Sequence, residues 1–232
     1  MGQLLSKDSG PAAGTPPAQA RRRTDAAGSR GPEPEFSLAH LTVMGCAPPE
    51  MIYLAARAGY DYVSVRTIFM GLPGEQNYGL SANPDLLAKT KRALDATGVR
   101  LHDIELARVK EGIDPKSYVP EFEIAAKLGA RAVLSSIWTT DRAFYVDKFA
   151  EICDLAKPFG LTVDLEAVPI AGVHDLAGAV DVLRTVRRDN AGLMVDTHHF
   201  HRARDNAADL AALPREWFHF AQICDAPGEI PT

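Results

Sequence analysis

The chain has 232 residues, 46% hydrophobic, 24% charged and 7% aromatic, with a net charge of −5; this is globular material for one domain or two small ones, with no basic field for a nucleic-acid backbone. No uncharged apolar run reaches the ~18–20 residues of a membrane span, so neither nucleic acid nor membrane is an expected partner. The three cysteines, Cys46, Cys153 and Cys224, have no CxxC spacing, which excludes a disulfide scaffold and fits a reducing cytoplasm, the expected location.

Residues 1–35 hold five Gly, five Pro and six Ala, with Met1, Leu4 and Leu5 the only large apolar side chains. Such a stretch buries too little surface to offset its ordering entropy, so it reads as a disordered tail. The opening Met1-Gly2 with Ser6 fits the loose N-myristoylation pattern, which chance also produces, and there is no apolar core of a secretory signal. Residues 36–232 read as the catalytic domain.

That remainder is organised by a repeat of about thirty residues. Five helical patterns run into a glycine (Gly59, Gly98, Gly129, Gly160, Gly192), each followed by a strand-like run. Glycine is the usual left-handed helix stop. Asn83-Pro84-Asp85 offers a cap, a first-position proline and a first-turn acid for a helix carrying Leu86, Leu87 and Leu94. Strands are expected near residues 38–43, 61–66, 99–105, 131–137, 161–166, 192–196 and 218–224. Alternation of helix and strand means βα units and a parallel sheet. A doubly wound sheet tolerates seven strands, but its glycine-rich first turn is missing from Met44-Gly45-Cys46-Ala47-Pro48-Pro49. A closed (β/α)₈ barrel needs eight strands and about 250 residues, whereas 197 follow the tail. The expectation is an α/β fold, a (β/α)₈ TIM barrel truncated after strand 7. Its open edge strands invite self-association, so a homo-oligomer is a possible partner state.

Reacting groups of such barrels sit where strands end. The fifth strand, Leu161 to Glu166, places Thr162, Asp164 and Glu166 on one face and Val163 and Leu165 on the other. A carboxylate at the end of a buried strand is costly unless paired or bound to a cation. The sixth strand ends in Asp196 and runs into Thr197-His198-His199-Phe200-His201-Arg202; the seventh supplies Gln222; the third supplies Asp103 and Glu105, with Arg108 just beyond. Each has a plainer reading. Glu166 also suits a helix cap or an arginine partner, Asp196 an N-cap, the histidines a solvated loop, and Arg66, Arg108 and Lys110 a charged rim. Together, oxygen ligands and a histidine-rich turn at successive strand ends have the pattern of an oxygen-rich divalent site.

Asp103-Ile104-Glu105, Glu166, the Asp196-x-x-His199-x-x-Arg202 run, Asp209-Leu210 to Leu213-Pro214 and the Gln222 to Pro227 run resemble the sugar phosphate isomerase/epimerase family. This group of xylose-isomerase-like TIM barrels includes 3-dehydroshikimate dehydratases, inosose dehydratases and keto-sugar epimerases, and the resemblance covers about residues 36–232. It implies a divalent metal, Mn²⁺ or Mg²⁺ foremost and Co²⁺ or Zn²⁺ otherwise, held by Glu166, Asp196 and Gln222. It further implies Glu166 as a catalytic acid/base, and Glu105, His199 and Arg202 as contacts to a small polyhydroxylated substrate. The family's last ligand, a strand-eight glutamate, has no counterpart among residues 36–232. The implied activity is that of an isomerase or epimerase of carbohydrate metabolism, acting on a sugar, sugar phosphate or related keto compound by proton abstraction beside the carbonyl through a metal-stabilised enediolate. Gln222 in place of histidine favours the alternative, a dehydratase of the 3-dehydroshikimate type; a truncated non-catalytic product is the third reading.

Overall fold

Seven parallel strands pair strictly in chain order in a computed structural model that describes residues 34–229. They are β1 (Ser37–Ala39), β2 (Tyr62–Arg66), β3 (Arg100–Val109), β4 (Ala132–Ile137), β5 (Thr162–Glu166), β6 (Ala191–Asp196) and β7 (Ala221–Gln222). The helices between them are α1 (Pro48–Ala58), α2 (Pro84–Thr97), α3 (Val119–Lys127), α4 (Arg142–Ala156) and α5 (Leu176–Val186), with the short α6 (Thr197–Ala203) and α7 (Ala207–Ala211) between β6 and β7. Sequential parallel pairing with connecting helices is the construction of a (β/α)₈ barrel carried as far as its seventh strand. Of the expected tail over residues 1–35, residues 1–33, and with them the lipid-acceptor reading of Gly2, lie outside the described residues. Glu35 is already tied to the sheet, accepting from the Tyr62 hydroxyl at 3.2 Å and pairing with Arg100.

Local chemistry explains where the elements begin and stop. Asn83 caps α2 by accepting from the Leu86 amide at 3.0 Å, and Pro84 opens the helix. Asp141 and Asp175 cap α4 and α5 in the same way, at 3.1 and 2.8 Å. Gly59 and Gly98 end α1 and α2 at φ 83° and 74°, backbone that side-chain-bearing residues rarely adopt. One face of the sheet packs on the helices: Val63, Val65, Ile104, Val133, Val163, Leu165 and Leu193 meet Met51, Ile52, Phe122, Phe149 and Ile152, all essentially solvent-free. Burying one such side chain contributes roughly 1.5–3 kcal/mol. On the opposite face a separate apolar cluster of Leu106, Leu134 and Met194, with Met70 and Phe220, sits among polar groups.

Five sequence expectations need correction. The first strand stops at Ala39, and residues 40–43 form a 3₁₀ turn in which the buried His40 accepts from the Arg66 amide at 3.0 Å. The third strand runs on to Val109 and contains Arg108; a bulge between Ile104 and Ala107 turns Leu106 to the inner cluster. The histidine-rich run after Asp196 is the helix α6, not a solvated loop. The seventh strand shrinks to Ala221–Gln222. Gly192 lies within β6 rather than at a helix stop; α5 ends on Arg187 at φ 49°. All three cysteines are free, as expected, and no described helix is long and apolar enough to cross a membrane.

Candidate metal and active site

The ends of β5, β6 and β7 bring the acidic residues together. Glu166 closes β5 and Asp196 closes β6, each 7% exposed. Asp196 also caps α6, one carboxylate oxygen accepting from the His199 amide at 2.9 Å. The plain N-cap reading is therefore correct without excluding a second role, since a carboxylate has lone pairs to spare. That cap starts α6 and carries His199 back over the strand ends, where its Nε2 lies 3.6 Å from Glu166 Oε1. Glu166, Asp196 and His199 each present a ligand atom, all within 4.8 Å of one another. Gln222 is the register partner of Asp196, so it sits beside it on the same face. The Cys224 thiol donates to both Asp196 oxygens, at 3.1 and 3.3 Å.

The electrostatics of the cluster are unfavourable as they stand. Burial, then the Asp196 and Glu105 carboxylates, push the Glu166 pKa up to about 8. Glu105, on β3, is likewise pushed to about 8, by burial first and then by Asp103, with Arg66 acting in the opposite sense. Burial holds His199 below the ordinary histidine range, which keeps its imidazole neutral near pH 7, the form that binds metals. Two buried carboxylates, a neutral imidazole and a neighbouring amide form a donor set that a divalent cation satisfies, replacing mutual repulsion by attraction.

Deeper inside, polar residues are bonded in pairs. Asp103 accepts from Ser64 at 2.5 Å and lies 2.9 Å from His102 Nδ1. Asp164, fully buried two residues before Glu166, accepts from Thr162 at 2.7 Å and lies 2.6 Å from His219 Nδ1. His219 precedes β7, so this contact crosses β6, and Gly192 makes room for it: a Cβ there would fall 2.1 Å from the Asp164 oxygen.

The residues singled out in the sequence thus divide. Glu166, Asp196 and His199 converge, Gln222 joins their face, and Glu105 lies close enough to raise Glu166. Arg202 is committed elsewhere: its guanidinium donates to the Pro227 and Gly228 carbonyls at 2.6 and 3.3 Å and to His198 at 3.1 Å. Arg108 donates to the Met70 carbonyl. His199 was expected to touch substrate, not to share the donor set; its place depends on α6, which the histidine-rich run concealed. Arg66 keeps one terminal nitrogen at an exposed contact with Met44, in keeping with a rim position, while its Nε is buried.

A parallel barrel-type sheet with an acidic donor set at its strand ends defines a class, and the comparisons agree with it. The chain belongs to the xylose isomerase-like TIM barrel family, whose model matches residues 52–231. It is 27% identical over 179 residues to an inosose isomerase of Bacillus velezensis, a match covering 68% of this chain and 60% of that protein. The chain therefore spans about 60% of the length of that curated relative. Among solved structures it resembles the IolI protein with a bound zinc atom, at TM-score 0.67 and 22% identity, over 82% of this chain and 72% of that one. It also resembles the probable 3-DHS dehydratase AsbF of Bacillus anthracis, at TM-score 0.66 and 15% identity, over 81% and 72%. At these identities the structural likenesses show the fold.

Proposed function

We propose that this chain carries the divalent-metal site of a sugar isomerase or epimerase that moves a proton on the carbon next to a carbonyl. The observation that carries the reading is the convergence of Glu166, Asp196 and His199 within 4.8 Å at neighbouring strand ends; the inosose isomerase relative supports the substrate class. Glu166, Asp196 and Gln222 would hold the ion, with His199 either completing the set or contacting substrate. A cation bound there supplies Lewis acidity to the oxygens of a polyhydroxy ketone, stabilising negative charge that develops on its carbonyl.

The protein's own residues do the rest. Burial and the neighbouring carboxylates raise Glu166 in the metal-free site; a bound cation would oppose that shift and hold Glu166 as the carboxylate, the form that accepts a proton as an acid/base group. His199 and Glu105 orient hydroxyls beside it. Arg202 anchors the segment after β7 through the Pro227 and Gly228 carbonyls, and so shapes one wall of the mouth.

Proton exchange tests this directly. In D₂O with Mn²⁺ and inosose, the protein is expected to wash deuterium into the carbon beside the carbonyl, read by proton NMR. Absence of exchange with every polyhydroxy ketone tried contradicts the reading. A second reading, a dehydratase, is favoured by Gln222; it predicts a conjugated product that absorbs in the ultraviolet.

A further inference from the structure

A hollow lies apart from the acidic donor set, between the segments that follow β2 and β3. It is a cavity of about 300 Å³ with Ile68, Phe69, Leu106, Arg108, Ile113 and Tyr118 in its wall. None of Glu166, Asp196, His199 and Gln222 lines it, and β4 stands between β3 and β5 in the sheet. Ala107 and Val109 pack on the helices, so alternation turns Leu106 and Arg108 to the opposite face. Both walls are fixed by hydrogen bonds. The Ile68 amide donates to the Glu105 carbonyl at 3.2 Å, and Arg108 Nη2 donates to the Met70 carbonyl at 2.9 Å. Glu75 holds the same segment by accepting from the Met70 and Leu72 amides at 3.1 and 3.0 Å. On the facing segment the Tyr118 hydroxyl donates to the Arg108 carbonyl at 2.8 Å.

The hollow is thus preformed, and its volume falls at the lower end of small-molecule sites, about 300–1,000 Å³. Its chemistry is one-sided. No acidic side chain lines it; Glu75 is occupied by backbone amides, and Asp114, beside Ile113, accepts from the Lys116 amide at 3.0 Å. Arg108 spends only Nη2 on the protein, so among the described residues its other guanidinium N–H groups are open to a ligand. Arg108 is partly buried, and its charge is screened less than one in open water. The rest of the wall is mainly aliphatic and aromatic. Phe69, 49% exposed, offers it an apolar surface that a bound body would cover.

We propose that this cavity is a binding site, separate from the donor set, for a small organic carboxylate with an apolar, aromatic body. The carboxylate pairs with the open N–H groups of Arg108, while the body covers Phe69, Leu106 and Ile113. Each alternative fails one of the two requirements. A cation meets a like charge, a neutral molecule of the same shape leaves the guanidinium without a counter-charge, and an anion with no apolar body leaves the wall uncovered. The inference uses no residue of the proposed metal site and stands independently of that reading.

Ligand-observed NMR titration tests it, with benzoate as the probe, and benzamide and acetate as controls that lack the charge and the body. Each titration is run in EDTA and again with Mn²⁺. Benzoate is expected to saturate wild type with a Kd of about 1 mM or tighter, and both controls to bind at least about tenfold more weakly. Arg108→Gln should weaken benzoate about tenfold or more, and Phe69→Ala about threefold or more. Should Arg108→Gln fail to fold, Phe69→Ala, at a half-exposed position, carries the test together with the wild-type comparison. Added Mn²⁺ and the variant Glu166→Gln should each leave benzoate affinity within about twofold. Absence of saturable benzoate binding overturns the site, as does equal affinity for benzoate and benzamide or undiminished benzoate binding in Arg108→Gln or Phe69→Ala. A benzoate affinity that appears only with Mn²⁺, or is lost in Glu166→Gln, puts the carboxylate on the donor set and overturns it as well.

Discussion

Asp196 performs two tasks with one carboxylate. Its cap on α6 fixes the helix that carries His199, while its remaining lone pairs face Glu166 and the Cys224 thiol. Arg202, one turn along α6, joins that helix to the segment after β7 through two backbone carbonyls. Both bonds are solvent-exposed, so water and ions screen much of their worth. Arg202→Ala is expected to lower stability by about 1 kcal/mol, below the ~1.5–3 kcal/mol of a buried charged hydrogen bond, and to raise KM as the segment loosens. Urea unfolding measures the first effect and steady-state kinetics the second. Of these residues Glu166 and Asp196 were legible from the sequence, because a carboxylate at the end of an apolar strand advertises its cost. The orientations of Arg66 and Arg202 were not, since long flexible side chains choose partners that only the folded chain supplies.

Among the elements, β6 is constrained at Gly192. Gly192 lets His219 reach across it to Asp164, a contact joining β5 to the approach of β7, three residues before Gln222. Gly192→Ala would set a Cβ 2.1 Å from the Asp164 oxygen and 2.5 Å from His219 Nδ1. The clash and the broken buried pair should together cost about 3 kcal/mol or more. The same contact predicts a pH effect. The hydrogen bond to Asp164 raises the His219 pKa above its ordinary value. Its contribution is thus fully present below the unfolded pKa of about 6.5 and is lost as pH rises through the folded value. His40 and His199, both lowered by burial, act in the opposite sense. The difference between wild type and His219→Gln isolates the contact: their melting temperatures should converge between pH 6 and alkaline pH, and a constant gap would contradict the assignment. The repeat revealed the strands and most helix stops through periodicity and glycine. It misread Gly192, where the missing side chain serves a contact across the sheet and not a backbone turn, and it missed α6, whose polar face and short length leave no apolar period to read.

For the molecule as a whole, the order of seven parallel strands was readable because each βα unit repeats the same local signals. The closeness of the three donors follows from β5 and β6 pairing side by side and from the Asp196 cap that starts α6. That closeness is the central claim, and metal titration tests it most directly. Wild type is expected to bind one Mn²⁺ per chain, and the ion should raise the melting temperature with the logarithm of its concentration once above its Kd. Glu166→Gln and Asp196→Asn should each weaken binding at least tenfold while leaving the far-ultraviolet circular dichroism unchanged, since neither side chain belongs to the apolar packing between sheet and helices. Equal Mn²⁺ affinity in wild type and both variants would contradict the account.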